Sequence, residues 1–231
     1  MAADPKQVAG PILQGAAARG QHALAEHEAK RILAAYGLPV TREILVTTRA
    51  EVAPAAVAIG YPVALKASSP EIPHKTEQGL VRLALGDEAA ALEAYDAIAA
   101  GLDGRPGGVL VQEMVAGSRE LALGLVRDPT FGPCVMFGLG GILTEVLDDA
   151  AFRRAPLDLE DARDMMEEVR GRRILEAVRG LPAADRGALA EMLVALGRLG
   201  LDHDIVAEID LNPVILAGAR PVVADALFVL H

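Results

Sequence analysis

Apolar and polar positions follow two different patterns in this chain, and the change falls near residue 116. Before it, apolar residues recur at helical spacing or in short runs bounded by Gly and Pro, which is typical of alternating helices and strands. The pattern predicts helices over 16–36, 49–59 and 88–100, and strands over 44–47, 62–66, 81–85 and 107–115.

Beyond residue 116 the apolar runs are shorter, and Gly, Pro and Asp separate them, as in an antiparallel sheet. Strands are predicted over 120–126, 135–137, 143–147, 152–155, 205–209, 214–216 and 222–224, and helices over 158–169 and 184–199. We therefore expect an α+β (α/β) protein of two lobes, residues 1–116 and 117–231. A hinge is expected near Ala116 and Gly117, with a ligand cleft between the lobes.

Composition narrows the classes of protein to which the chain can belong. The 231 residues are 52% hydrophobic, yet no apolar run reaches the roughly 18–20 residues of a membrane helix, and the first residues lack the features of a signal peptide. We expect a cytoplasmic protein with no membrane contact. A net charge of −10 and 3% aromatic residues argue against a nucleic-acid surface. The single cysteine, Cys134, lies in an apolar run and is interpreted as structural.

A polar loop, KASSPEIPHKTEQGLV, leaves the predicted strand 62–66. The chain has only four lysines, and two of them, Lys66 and Lys75, bracket this loop and its histidine, His74. An ammonium group suits a phosphoryl oxygen, and a neutral imidazole can attack phosphorus. The loop thus indicates phosphoryl transfer through phosphohistidine. The plainer alternatives are a solvated loop histidine and a lysine at a strand tip with its ammonium group in water.

Near the end of the chain, Glu208, Asp210 and Asn212 occupy alternate positions, and Asp225 is predicted on the final strand. On an extended segment the first three project to one face, where oxygen ligands suit a hard cation such as Mg²⁺. An Asx turn before Pro213 would explain Asn212 alone.

Three segments together resemble a known family: ALKASSPEIPHKTEQG at 64–79, FGLGGILTEVLDDAAFRRAPL at 137–157, and EIDLNPVIL followed by VVADAL at 208–227. They are similar to the ATP-grasp beta subunit of NDP-forming acyl-CoA synthetases, which include ADP-forming acetate–CoA ligases and are related to succinyl-CoA synthetase. The resemblance implies an ATP-grasp fold whose two lobes clamp Mg-ATP. It also implies a CoA-binding alpha partner in a heteromer such as a heterotetramer, which brings the carboxylate and CoA.

The resemblance assigns roles within the polar loop. His74 would take the γ-phosphoryl group of ATP and pass it to a histidine of the partner, while Lys66 would neutralise the nucleotide phosphates. Lys75 is a second candidate for that work. Gly79 would let the backbone approach phosphate, although the family often has a second glycine where Leu80 stands.

Further nucleotide contacts are implied at the junction of the lobes. Glu113, Met114 and Val115 resemble the ATP-grasp hinge, where backbone groups bind adenine and an acid contacts the nucleotide. Glu120 would reach the ribose or the phosphates.

The resemblance also suggests separate roles for the polar residues near the end of the chain. Asn212 and Asp225 match the metal positions of succinyl-CoA synthetase and are the principal predicted Mg²⁺ ligands, with Glu208 beside them. Asp210 is expected to orient His74, because a carboxylate next to an imidazole fixes its tautomer. The glycines of 138–141 fail the spacing of a dinucleotide fingerprint and are interpreted as a phosphate-proximal loop.

Two other functions remain open from the sequence. One is a direct ATP-grasp carboxylate-amine ligase, which forms an acyl phosphate without phosphohistidine. The other is a non-catalytic ATP-sensing subunit that regulates a partner.

Overall fold

A computed structural model describes residues 4–72, 75, 78–141 and 149–231. Elements are numbered in chain order. The helices are α1 Pro5–Ala18, α2 Glu26–Ala35, α3 Val52–Ile59, α4 Glu88–Leu102, α5 Leu159–Glu168 and α6 Arg186–Asp202. The strands are β1 Glu43–Val46, β2 Val63–Ser68, β3 Val81–Leu85, β4 Gly108–Glu113, β5 Glu120–Asp128, β6 Gly132–Leu139, β7 Ala150–Arg154, β8 Val206–Ala217, β9 Arg220–Val223 and β10 Leu227–Leu230.

The first sheet is antiparallel, with strand order β1-β4-β2-β3. Every residue of the central strand β2 is buried, so its apolar run lacks the alternation of a half-exposed strand. Helices α3 and α4 pack against this sheet, and Leu65, Val111 and Ile98 lie in the shared core. Asp87 begins α4 by accepting a 2.9 Å hydrogen bond from the Ala90 N–H.

The second sheet has the order β10-β8-β5-β6-β7, and β9 pairs with β8. Its strands are antiparallel, as the Gly- and Pro-separated runs predict. Helices α5 and α6 pack near β6 and β7, with Phe137, Met165 and Leu193 in a common core. The central position of β8 brings the acidic residues near the chain end into the middle of the sheet.

The predicted helix over 16–36 is two helices, and both pack with the second sheet. A turn at Gly20, whose φ is +66°, separates α1 from α2. The Leu24 N–H donates to the Phe228 carbonyl at 3.1 Å, and the Leu230 N–H donates to the His22 carbonyl at 2.8 Å. The boundary at residue 116 stays a prediction, although the buried apolar residues of α1 and α2 belong to the core of the second sheet.

Two further differences concern the end of the chain. The predicted strands over 205–209 and 214–216 are one continuous strand, β8. A β-bulge at Asn212 and Pro213 lets the strand continue: Leu121 pairs with Val214, but Leu123 pairs with Leu211, so β8 has one more residue than β5 here. A last strand, β10, was not predicted, so Asp225 lies in the connection before it and not on a strand. The predicted strand over 143–147 falls outside the described residues.

None of the described helices is long and apolar enough to cross a membrane.

Candidate functional site

A cavity of about 220 Å³ lies between the two sheets. It is lined by residues of both: Ala64, Lys66, Val81, Leu83, Gln112, Glu113, Met114, Val115, Glu120, Pro213, Ile215, Ala224 and Asp225. Six residues predicted from the sequence to bind nucleotide or metal are therefore brought together. Lys75, Gly79, Glu208, Asp210 and Asn212 are not among the lining residues.

Lys66 is the cationic residue of the cavity. It lies near the end of β2, where the strand carries its side chain between the sheets, and it is 6% exposed. Its Nζ donates to the Ala224 carbonyl at 2.8 Å and contacts Glu26 Oε1 at 3.3 Å. Because an ammonium group has three N–H donors, these two contacts leave capacity for a ligand oxygen.

Glu26, at the start of α2, is the central anion beneath the cavity. It is 4% exposed, and three of the four lysines in the chain lie against its carboxylate: Lys30 at 2.8 Å, Lys66 at 3.3 Å, and Lys75 in a shorter contact. A buried charge is tolerated when it is paired and hydrogen-bonded. The Glu26 carboxylate therefore offsets the cost of burying these ammonium groups close together.

Lys30 differs from Lys66 because its ammonium group is surrounded. Its Nζ lies within 3.0 Å of five oxygens, those of Glu26, Thr41, Glu43, Gln112 and the Ala224 carbonyl. These partners come from α2, the segment before β1, β1, β4 and the connection after β9, so Lys30 joins the two sheets. Its role is structural, whereas Lys66 faces the cavity.

The pKa values of the cluster follow from burial and from pairing. Burial alone would raise the pKa of Glu26, but the three lysines hold it well below its ordinary value. Burial lowers the pKa of Lys66 against the opposing attraction of Glu26 and Asp225, whereas the carboxylates raise the pKa of Lys30 and Lys75. Lys66 is thus the least compensated cation, and an anion bound in the cavity would stabilise its charged form.

Lys75 is paired with two carboxylates. It is 7% exposed, and its Nζ contacts Glu26 Oε2 and lies 2.7 Å from Asp225 Oδ1. A phosphate group would therefore have to compete with these two carboxylates for the Lys75 ammonium group. His74, the neighbouring residue and predicted nucleophile, lies outside the described residues.

Gly79 adopts a φ of +67°, a conformation that glycine favours. The following Leu80, where the family often has glycine, is 5% exposed and packs in the core of the first sheet. A glycine there would remove this packing.

The junction after β4 has the features of a binding edge. The Glu113 carboxylate accepts hydrogen bonds from the Arg42 N–H at 2.8 Å and from Arg42 Nε at 2.7 Å. The acid that was predicted to contact the nucleotide is thus paired with this arginine. Met114 and Val115 directly follow β4, and both residues line the cavity.

Asn212 and Asp225 lie opposite each other on neighbouring segments of the second sheet. Val214 pairs with Val223, and the Ala224 N–H donates to the Pro213 carbonyl at 3.0 Å, so the same antiparallel register sets Asn212 against Asp225. One amide oxygen and one carboxylate are hard donors, and Mg²⁺ is commonly held by one or two such groups with waters and phosphate oxygens. The pair fits Mg²⁺.

Glu208 lies four residues before Asn212 on β8, and both residues line a cavity together with Gly124, Met136 and Phe152. The role of Glu208 as a further metal ligand stays a prediction. Among the described residues, no group of three or more His, Cys, Asp and Glu side chains is arranged to hold a metal ion. Asp210 lies between them on β8, opposite Gly124 and Leu227, and the orientation of His74 by Asp210 stays a prediction.

The glycine turn after β6 supports Asn212. The Gly141 N–H donates to Asn212 Oδ1 at 3.0 Å, and Gly141 has a φ of +61°. A Cβ at Gly141 would lie 2.0 Å from Glu120 Oε2, so glycine allows the turn to lie against both side chains. Residues 142–148, which follow this turn, fall outside the described residues.

Sequence reasoning missed Glu26 and Lys30. Their spacing carried a signal, because Glu26, Ala29, Lys30 and Leu33 have the i, i+3, i+4, i+7 positions of one helix face. Two opposite charges on an otherwise apolar face indicate a buried ion pair.

Comparisons with known proteins agree with this architecture. The family described as "ATP-grasp domain" matches residues 15–230. Subunit beta of acetate–CoA ligase [ADP-forming] II from Pyrococcus furiosus is 39% identical over 227 residues, covering 95% of this chain and 96% of that protein. Acetate–CoA ligase [ADP-forming] I from Archaeoglobus fulgidus is 42% identical over 204 residues, covering 86% of this chain and 30% of that protein.

Solved structures of acetyl-coenzyme A synthetase 1 from Ca. Korarchaeum cryptofilum are similar throughout. One, in complex with coenzyme A and Ca-AMPCP, has a TM-score of 0.91 at 39% identity and covers 95% of this chain and 98% of that chain. Another, with coenzyme A and Mg-AMPPCP, has its phosphohistidine segment pointing towards the nucleotide binding site. Its TM-score is 0.85 at 39% identity, with 96% of this chain and 100% of that chain covered. The predicted ATP-grasp fold is confirmed. The chain belongs to the ATP-grasp family, among the beta subunits of ADP-forming acetate–CoA ligases.

Proposed function

We propose that this chain is the nucleotide-binding beta subunit of an ADP-forming acyl-CoA synthetase. With a CoA-binding alpha partner it would convert ATP, a carboxylate and CoA to ADP, phosphate and acyl-CoA. The observation that carries this is the cavity between the sheets, where buried Lys66 meets the backbone edge at Met114 and Val115 and the carboxylate of Asp225.

In this proposal the adenine lies against Met114 and Val115, and the phosphates extend towards Lys66. The Lys66 ammonium offsets charge on the phosphates during transfer, which requires no deprotonation. Mg²⁺ would be held by Asn212 and Asp225 and would offset negative charge on the phosphates. The Gly141 N–H, which donates to Asn212 Oδ1, fixes the orientation of this amide group.

His74 is the proposed nucleophile. The coverage of relatives supports a partner subunit or domain, since this chain spans 96% of a separate beta subunit and 30% of a single-chain relative. The remaining length of the single-chain relative corresponds to the part that would contribute the CoA-binding function. The relay places the second half of the chemistry on the partner.

The test is reconstitution. The chain is mixed with a candidate CoA-binding alpha partner, and acyl-CoA formation and phosphate release are followed with ATP, Mg²⁺, CoA and a series of short carboxylates. Product that requires both proteins, together with one phosphate per acyl-CoA, supports the proposal. ATP-dependent acyl phosphate formation by this chain alone would instead indicate the direct ligase, and nucleotide binding without turnover in any mixture would indicate a sensing subunit.

A further inference from the structure

Gln112 is a buried polar residue among those that line the cavity. It lies one residue before the end of β4 and is 4% exposed. Its partners in the sheet are Glu43 on β1 and Ala64 on β2. Residues directly opposite each other in a sheet share one face, and Lys66, two residues after Ala64, lies on that face as well. The Gln112 amide group therefore projects to the same side of the first sheet as the Lys66 ammonium group.

Lys30 determines which way round the Gln112 amide group lies. Lys30 Nζ donates to Gln112 Oε1 at 2.8 Å. An ammonium group has donors only, so the amide must present its oxygen to Lys30 and direct its nitrogen away. Four further oxygens hold the Lys30 ammonium group in place. The orientation of the Gln112 amide is thus fixed from behind by a buried cation.

The amide nitrogen of Gln112 is a donor without an acceptor in the described part of the chain. It is not sealed inside the protein, because among the described residues only Tyr61 has an enclosed side-chain polar atom that lacks a partner. The open space next to Gln112 is the cavity that it lines. Since buried polar groups are normally hydrogen-bonded, this nitrogen offers a contact to an acceptor atom of a ligand.

The position of Gln112 along the sheet indicates which part of a nucleotide it would meet. Lys66 pairs with Leu110, which lies two residues before Gln112 on β4. Gln112 is thus about 7 Å nearer than the Lys66 backbone to the end of β4, where Met114 and Val115 follow. In the proposed function the base lies against Met114 and Val115 and the phosphates extend towards Lys66. The Gln112 amide therefore lies beside the base.

Resting on the proposed function, we propose that Gln112 binds the purine base of the nucleotide, with Nε2 donating a hydrogen bond to the ring nitrogen N7. Of the ring acceptors, N1 lies on the edge turned to Met114 and Val115, and N3 lies beside the ribose, which leaves N7 for this side chain. Lys30 is the positioning residue that holds the amide oxygen. Because N7 is an acceptor in both adenine and guanine, the contact selects a purine over a pyrimidine.

The first test removes the acceptor from the ligand. Mg-ADP and Mg-7-deaza-ADP, in which a C–H group replaces N7, are titrated into the whole chain by isothermal titration calorimetry. The unaltered chain should bind the 7-deaza nucleotide about tenfold more weakly, because the buried Gln112 donor loses its acceptor. Equal affinity for the two nucleotides would overturn the contact at N7.

The second test asks whether Gln112 supplies the donor. Gln112→Met keeps the length of the side chain but has no donor, so its Kd values for the two nucleotides should agree within about twofold. Gln14→Met, at an exposed position of α1, is the matched control and should keep the full difference. If Gln112 were only structural, Gln112→Met would weaken the binding of both nucleotides by one factor and preserve the difference, which would overturn the proposal.

A second variant covers a folding defect in Gln112→Met. Gln112→Glu keeps an oxygen for Lys30 and replaces the donor nitrogen with an acceptor. It should also lose the preference for ADP over 7-deaza-ADP, and a retained preference would count against Gln112 as the donor. The proposed function fails separately, if the unaltered chain binds neither nucleotide. A chain that binds both nucleotides equally keeps the nucleotide site and refutes the role of Gln112.

Discussion

Replacing Lys66 with methionine should remove nucleotide binding with little loss of stability. Lys66 Nζ has one short partner, the Ala224 carbonyl at 2.8 Å, and a longer contact with Glu26, which keeps Lys30 and Lys75 as partners. Because methionine avoids the cost of burying a charge, we expect the free energy of unfolding to change by no more than about 1 kcal/mol. A charge-assisted contact with phosphate in a cleft is worth about 2–4 kcal/mol, so the Kd for Mg-ADP should rise roughly 30- to 1,000-fold.

The assay is isothermal titration calorimetry with Mg-ADP, alongside urea unfolding of the same preparations. Lys6→Met serves as the control, since it removes an equal charge from an ion pair in which Lys6 is half exposed. A Kd for Lys66→Met within threefold of the control would refute the reasoning that this ammonium faces the phosphates. A loss of several kcal/mol in unfolding would show that Lys66, like Lys30, is mainly structural.

Three further predictions address other parts of the structure. Arg119→Met should lower the free energy of unfolding by about 2–4 kcal/mol in urea titrations, because the buried guanidinium donates to four carbonyl groups, whereas Arg49→Met, in an exposed pair, should cost less than about 1 kcal/mol. Gly141→Ala should weaken Mg-ADP binding at least about tenfold by calorimetry, but Gly132→Ala, at a similar positive φ with open space around it, should not. Burial lowers the pKa of His203 below 6.5, so the unfolded chain protonates first and stability should fall as pH drops through 6.5; His203→Gln should flatten that slope between about pH 7.5 and 5.5.

The binding elements could be predicted because their signals are local. Lys66 follows a short apolar run that is typical of a buried strand, and the change in pattern near residue 116 marks the junction at which Met114 and Val115 line the cavity. The alternation of Glu208, Asp210 and Asn212 matches the less buried face of β8, with Ile209 and Leu211 buried between them.

The remaining features depend on contacts between distant segments. Glu26 meets Lys75 across 49 positions and Lys30 meets Gln112 across 82, so neither burial follows from local spacing alone. The same holds for the segment before α2, where His22 and Leu24 form backbone hydrogen bonds with β10. Asp225 was expected on the final predicted strand, 222–224, whereas the structure places it before β10, a strand that was not predicted.

The central claim is that His74 carries the phosphoryl group. Intact-protein mass spectrometry at neutral or alkaline pH, after incubation with Mg-ATP and with or without the alpha partner, tests it most directly. The account predicts an acid-labile phosphate adduct on the unaltered chain that is absent from His74→Ala and is lost when the partner, a carboxylate and CoA are added. An adduct that persists in His74→Ala, or no adduct on a chain shown to bind Mg-ATP, would contradict it.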